Sequence, residues 1–213
     1  MLRSTAKALA VLVSLVIGSV ALPGCTDRGP STASDGSAAM PSASPTPHFD
    51  PDDTLWTIAS TGEHLTLDDP DVQALQQVVA LHSGASDNRT PSTVADSVAA
   101  EERFFSPLFL DKLAGEDYAD AVTAMYVDND LSIAQTGVAW TASTIDADRQ
   151  HATVGFESLF TIVSASAGFL HELGADAGDE FAQPREYTLT KVEGAWLIDD
   201  IAKGPLRAAA ATP

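Results

Sequence analysis

The chain has 213 residues, 30 acidic against 11 basic side chains, a formal charge of −19 and a single cysteine. That balance argues against a nucleic-acid binder, which needs a basic face to displace counterions from phosphates. One cysteine excludes an intrachain disulfide and any zinc site built on several thiolates, while an apolar fraction of 45% is too high for a wholly disordered chain.

At the amino terminus, Arg3 and Lys7 precede an apolar run from Ala8 to Val20 that ends in Leu22-Pro23-Gly24-Cys25. A charged start, a short apolar middle and a small-residue end are the layout of an export signal, and the run is short for a spanning helix. Leu22 to Cys25 resembles the lipobox of bacterial lipoproteins. That resemblance implies removal of residues 1–24, a lipid on Cys25 and a protein held on the extracytoplasmic face of the cell membrane. An ordinary secretory signal or an uncleaved anchor is the alternative. Residues 25–54 are dominated by Ser, Thr, Ala, Gly and Pro, and cannot bury enough surface to offset their ordering entropy, so they read as a flexible tether.

The folded domain is expected over residues 55–207, with a disordered tail at 208–213. Asp69-Pro70 reads as an N-cap followed by proline at the first helical position, with Val72, Leu75, Val78 and Val79 at helical spacing up to His82. Residues 84–91 read as a loop. Ser92 is a cap for a second helix toward Phe104, and Ser106-Pro107 starts a short turn with Leu108, Leu110 and Leu113. Tyr118, Val122, Met125 and Tyr126 share one face of a third helix over residues 116–127. From Leu131 the period changes: residues 132–145 and 150–164 read as two long antiparallel strands. Residues 165–183 read as a long loop with one helical turn at Phe169 to Leu173. Residues 187–192 and 195–201, separated by Glu193-Gly194, form a hairpin. Helices first and an antiparallel sheet last predict an α+β fold with helices covering one face of a curved sheet.

That layout, with the closing run Tyr187-x-Leu189-x-Lys191-Val192-x-Gly194-x-Trp196-Leu197-Ile198-Asp199-Asp200-Ile201, resembles the NTF2-like (cystatin-like, SnoaL-like) superfamily, and within it the exported actinobacterial accessory domains associated with Mce and conjugation systems. The resemblance implies a cone with an apolar pocket between sheet and helices, a fold that serves enzymes, ligand carriers and interaction modules alike. It also allows a homodimer through the sheet.

Catalytic motifs are missing from the sequence. The five histidines are too far apart to pair on one helix face, and His171-Glu172 opens like a zincin but has Ala175 where the second histidine belongs. Gly84-Ala85-Ser86 begins like a nucleophile elbow but has Asn88 where the second glycine belongs, and Ser166 has Ser164 where the first belongs; Asp128-Asn129-Asp130 lacks the glycine and distal glutamate of a calcium loop. Tyr118, Tyr126, Trp140, His151, Phe156, Glu157, Tyr187 and Trp196 are the candidate pocket residues. Glu157, out of phase with Val154, Phe156 and Phe160, is expected to face solvent. The sequence therefore predicts a non-catalytic, lipid-anchored accessory domain without cofactor or metal, whose partners are the membrane, through Cys25, and another protein of an envelope or transfer system. The carboxylate-rich stretch of residues 50–130 reads chiefly as a solvated surface. A carrier or sensor of a small apolar ligand is the alternative, followed by a hydratase- or isomerase-like enzyme working through His151 or Glu157.

Overall fold

A computed structural model of the chain describes residues 54–209. The expected export signal, Cys25, all but the last residue of the tether and residues 210–213 lie outside the described residues. The elements follow one another as β1 (Trp56–Ile58), α1 (Pro70–Ser86), α2 (Val94–Glu101), a 3-10 turn (Glu102–Phe104), α3 (Pro107–Gly115), α4 (Tyr118–Asp128), β2 (Ser132–Trp140), β3 (Ser143–Ile145), β4 (His151–Ser164), α5 (Ala167–Leu173), β5 (Glu180–Val192), β6 (Ala195–Lys203) and β7 (Arg207–Ala208).

Two helix starts follow directly from the sequence. Asp69 accepts hydrogen bonds from the Asp71 and Val72 amides, and Ser106 accepts from Phe109 N; in both cases proline follows, where its missing N–H costs nothing. The second signal opens a full helix rather than a turn. Thr93, not Ser92, precedes α2, without a side-chain cap bond. α1 runs on through Gly84 and Ser86, which the sequence assigned to a loop.

The structure is α+β, with a mixed seven-stranded sheet in place of the expected antiparallel one. β4 lies at its centre, with β5 antiparallel on one side and β2 and β3 sharing the other; β6 continues beyond β5, and β7 pairs with Phe181 and Ala182 near the start of β5. The mixed character comes from β1, which pairs parallel to β3 with Trp56 opposite Ser143 and Ile58 opposite Ile145. The expected strand over 132–145 is broken at Thr141-Ala142, and Gly155 explains the break. A Cβ there would stand 2.9 Å from the Ala142 carbonyl oxygen and would collide with Thr141, whose amide donates to Gly155 O at 3.0 Å. The chain crosses β4 at that point because glycine leaves room for it. The hairpin between β5 and β6 turns on Glu193 and Gly194, both at positive φ, as a two-residue connection requires.

Among the described residues the buried apolar side chains, Ala182 apart, fall into two clusters. One joins α1 and α3 to β1, β3 and the lower halves of β4, β5 and β6, around Val72, Leu75, Val79, Phe105, Phe109, Phe156, Tyr187 and Ile198. The other joins α2, α4 and α5 to β2 and the upper halves of β4 and β5, around Val98, Val122, Tyr126, Ile133, Phe160 and Phe181.

Candidate functional site

A belt of buried polar side chains runs between the two clusters. On β4 the inward positions read Phe156, Ser158, Phe160; on β5 they read Phe181, Gln183, Arg185, Tyr187. Strand period places Ser158, Gln183 and Arg185 on the face that the helices cover, and register sets Ser158 beside Gln183. From the helical side, α1 contributes His82, Ser83 and Ser86, its C-cap contributes Asp87, the following loop Arg89 and α2 Glu101. All of these are buried.

Asp87 is the hub. Its two carboxylate oxygens each lie 2.8 Å from an Arg185 guanidinium nitrogen, a bidentate pair. It also accepts from Ser83 and Ser86 at 3.2 Å and from Ser158. Burial pushes its pKa up, but the Arg185 charge and these donors outweigh it and hold the carboxyl below its usual range. Gln183 Oε1 accepts from Arg185 at 3.2 Å, completing the guanidinium's shell.

The second hub is Glu101, which takes the Tyr118 hydroxyl at 2.9 Å and lies 2.6 Å from Arg89 Nη2 and 3.4 Å from His82 Nε2. Of the last two, Arg89 is an ion pair and His82 a close approach, and neither has hydrogen-bond geometry. Burial raises the Glu101 pKa, and its contacts with His82, Arg89 and Tyr118 reverse that to a net lowering. His82 is driven the other way. Burial pushes its pKa down against the opposing pull of Glu101, so the imidazole is neutral. With Nε2 facing a carboxylate, the proton belongs there, and Nδ1 accepts the Tyr187 hydroxyl at 2.8 Å.

Beside this belt lies a cavity of about 230 Å³ between the helices and the β5–β6 hairpin. Phe105, Phe109, Leu113 and Ile201 supply its apolar wall, while His82, Tyr118, Arg185, Tyr187 and Lys203 supply its polar one. Phe105, Phe109, His82 and Tyr187 touch one another ring to ring, with centroids 5.1 to 5.3 Å apart.

Of the eight residues singled out in the sequence, Tyr118 and Tyr187 line this cavity, and Phe156 sits under Tyr187 at a ring separation of 4.9 Å. The other five lie elsewhere. Tyr126 is buried in the second cluster, and Trp140 is half-buried against Phe156. Trp196 is buried and donates its indole N–H to Asp71 at 3.1 Å. His151 is exposed at the first position of β4. Glu157 turns to the opposite face of the sheet, where it pairs with Arg207, because residues one apart on a strand face opposite ways. His82, Asp87, Arg89, Glu101, Arg185 and Lys203 were not anticipated as site residues.

Among the described residues no group of His, Cys, Asp and Glu is arranged to hold a metal ion, and no helix is long and apolar enough to cross a membrane. No family model and no curated protein matches the chain. Solved structures similar to it include the periplasmic domain of DotI, at 19% identity and a TM-score of 0.42, with 68% of this chain and 99% of that one covered. An IcmL-like type IV secretion system protein from Legionella pneumophila subsp. pneumophila str. Philadelphia 1 has 9% identity and a TM-score of 0.42, over 68% of this chain and 98% of that one. A periplasmic fragment of TraM has 10% identity and a TM-score of 0.40, over 64% and 97%. Likeness this weak carries no functional weight, and the function has to be argued from the site.

Proposed function

We propose that the chain is a lipid-anchored, extracytoplasmic accessory protein whose folded domain holds a small molecule in the cavity between the helices and the hairpin and catalyses no reaction. The observation that carries this reading is the cavity itself, walled by rings and aliphatic side chains with a few convergent polar groups, the usual make-up of a ligand pocket.

The Tyr187–His82–Glu101 chain has the look of a proton relay, but its members are committed to one another. Both His82 nitrogens face partners, Tyr187 is fully buried with its hydroxyl on His82, and Glu101 is fully buried with both oxygens in contact. A general acid or base must reach the proton it moves, and this chain serves instead to fix the cavity wall. His151 and Glu157, the sequence-level candidates for proton transfer, face away from it.

Anchoring rests on the lipobox-like Leu22 to Cys25, and two acyl chains at about 0.8 kcal/mol per buried methylene are enough to hold a protein on a bilayer. Docking of a protein partner is a second reading. It is favoured by Leu108 at the start of α3, which is 74% exposed, close to a depression lined by Leu110, Leu113 and Ala114.

Native mass spectrometry of the full chain released from its own membranes in mild detergent tests the proposal. The expected mass is that of the polypeptide from Cys25 onward with its acyl groups, plus a small ligand. Ala121→Trp, which fills the cavity from α4, should remove the ligand mass alone. A spectrum without ligand in the parent overturns the carrier reading, and an unacylated mass overturns the anchor.

A further inference from the structure

The charges along the belt do not balance, four of them being buried and the fifth, Lys203, half-buried. Asp87 and Glu101 face Arg89, Arg185 and Lys203, with His82 neutral. Arg89 is matched to Glu101 and Arg185 to Asp87. The Lys203 ammonium feels the Asp87 and Glu101 charges but makes no side-chain hydrogen bond or close ion pair among the described residues.

Its position is also one that sheets avoid. Lys203 pairs in register with Arg185, so two cations stand directly opposite each other on neighbouring strands and on the same face, an arrangement that destabilises a sheet. A β-bulge creates it. Thr188 pairs with Asp200 but Leu189 pairs with Ile198, leaving Asp199 as an extra residue in β6. The inward parity therefore passes from Trp196 and Ile198 to Ile201 and Lys203; unbroken alternation would have turned Ala202 inward and Lys203 out. Bulges that re-aim a side chain are characteristic of sites.

Lys203 lines the cavity together with Arg185 and the apolar side chains Phe105, Phe109 and Leu113, and it also borders a more open depression beside Glu157 and Glu186. One cation beside rings selects a ligand with an anionic head and an apolar body. A single unmatched positive charge suits a carboxylate better than a phosphate monoester, which brings up to two negative charges, and Glu116, also on the lining, disfavours any further negative charge. The volume of about 230 Å³ has room for about eight water-sized groups, so the body is small. With a formal charge of −19 the protein does not draw anions from a distance, and recognition has to come from this short-range, half-buried contact.

We propose that the cavity binds a small monocarboxylate with an apolar, ring-sized body, its carboxylate paired with Lys203 and its body against Phe105, Phe109 and Leu113. The assignment rests on the ligand-binding reading above and adds the chemical class. The charged groups around Lys203 are Arg185 on β5, Asp87 and Arg89 from the segment after α1, and Glu101 on α2, with Glu116 on the cavity lining and Glu157 and Glu186 on the neighbouring depression. Burial, together with Arg185, pushes its pKa down to about 8, so the pairing weakens as pH rises through that value.

Calorimetric titration of the full lipidated chain in lipid nanodiscs at pH 7, against empty discs, tests this with 3-phenylpropionate and its neutral counterpart 3-phenylpropanol. The acid is expected to bind at least tenfold more tightly than the alcohol. Lys203→Met and Lys203→Gln should each remove that preference and keep the affinity for the alcohol. Equal affinity for acid and alcohol, or a preference that survives both substitutions, overturns the carboxylate assignment and leaves the ligand reading standing. Binding of neither compound overturns both.

Discussion

Two charge clusters, one at the rim of the sheet and one in its middle, differ in how completely they neutralise themselves. At the start of α1, Asp69 and Asp71 face Arg149 and Lys191, two carboxylates against two cations, in contacts of 3.0 Å from Arg149 to each carboxylate and a further short contact from Lys191 to Asp71. Asp71 also accepts the Trp196 indole N–H, so the cluster staples the first turn of α1 to the β5–β6 hairpin. In the central belt two carboxylates face three cations, and the unmatched one lines a cavity. Near water a leftover charge is solvated at little cost; inside, it persists only if something in contact offsets it. The rim cluster is complete as a fastening; the half-buried Lys203 of the belt has no carboxylate in contact, and on the proposal above an anion in the cavity supplies one.

Removing Asp87 should produce the largest effect. Asp87→Ala leaves Arg185 buried with only Gln183, Ser86 and a second cation nearby, and breaking one partner of a buried pair costs about 3–5 kcal/mol. A fall of that size in chemical denaturation, or failure to fold, is the expected result. A loss below ~1 kcal/mol would mean that water reaches the belt and solvates its charges.

The rim gives a smaller effect. Arg149 has 39% of its side-chain surface exposed, so its pair with Asp71 contributes little. The loss in Asp71→Ala comes mainly from the Trp196 N–H left without its acceptor, about 2 kcal/mol. Trp196 fluorescence should then shift to the red as the hairpin loosens from α1, and an unchanged spectrum with unchanged stability would remove the staple from the account.

The same contrast separates what the sequence disclosed from what it hid. Asp69-Pro70, Ser106-Pro107 and Glu193-Gly194 act through their own backbone neighbours, so the two helix starts and the hairpin could be read without knowing the fold. β1 could not. Three residues are too few to show alternation, and their partner, β3, lies far along the chain. The break between β2 and β3 depends on Gly155 in another strand. The first half of β5 read as a loop because its inward positions include Gln183 and Arg185, and an inward face is ordinarily recognised by being apolar. The site was missed for that same reason. His82 was weighed only against other histidines and Glu101 only as surface charge, although the strand spacing of Ser158 between Phe156 and Phe160 already signalled a polar stripe across the core. Tyr118 and Tyr187 were found because tyrosine shows an apolar body to a periodicity test.

The smallest expected effect separates the two clusters most sharply, because it is a gain. Without a bound anion, Lys203 stands opposite Arg185 with its pKa lowered from 10.5 to about 8, first by burial and then by the Arg185 charge. A lysine whose folded pKa lies below its unfolded one holds fewer protons in the folded state between those values, so its penalty is full below pH 8 and fades as pH rises toward 10.5. Tyr118, Tyr126 and Tyr187, whose pKa values are raised chiefly by burial, oppose this only above pH 10, where unfolded tyrosines ionise. Lys203→Met should therefore raise Tm at pH 7 by about 2–4 °C, the shift that ~1 kcal/mol gives in a domain of this size, and the gain should shrink toward zero by pH 10. Adding 3-phenylpropionate to the parent at pH 7 should recover the same few degrees. No substitution in the balanced rim cluster can behave this way, since there every removed charge strands a partner. A Lys203→Met variant that is destabilised at pH 7, or whose gain ignores pH, would show that the ammonium is already matched and that the belt, like the rim, is a fastening and nothing more.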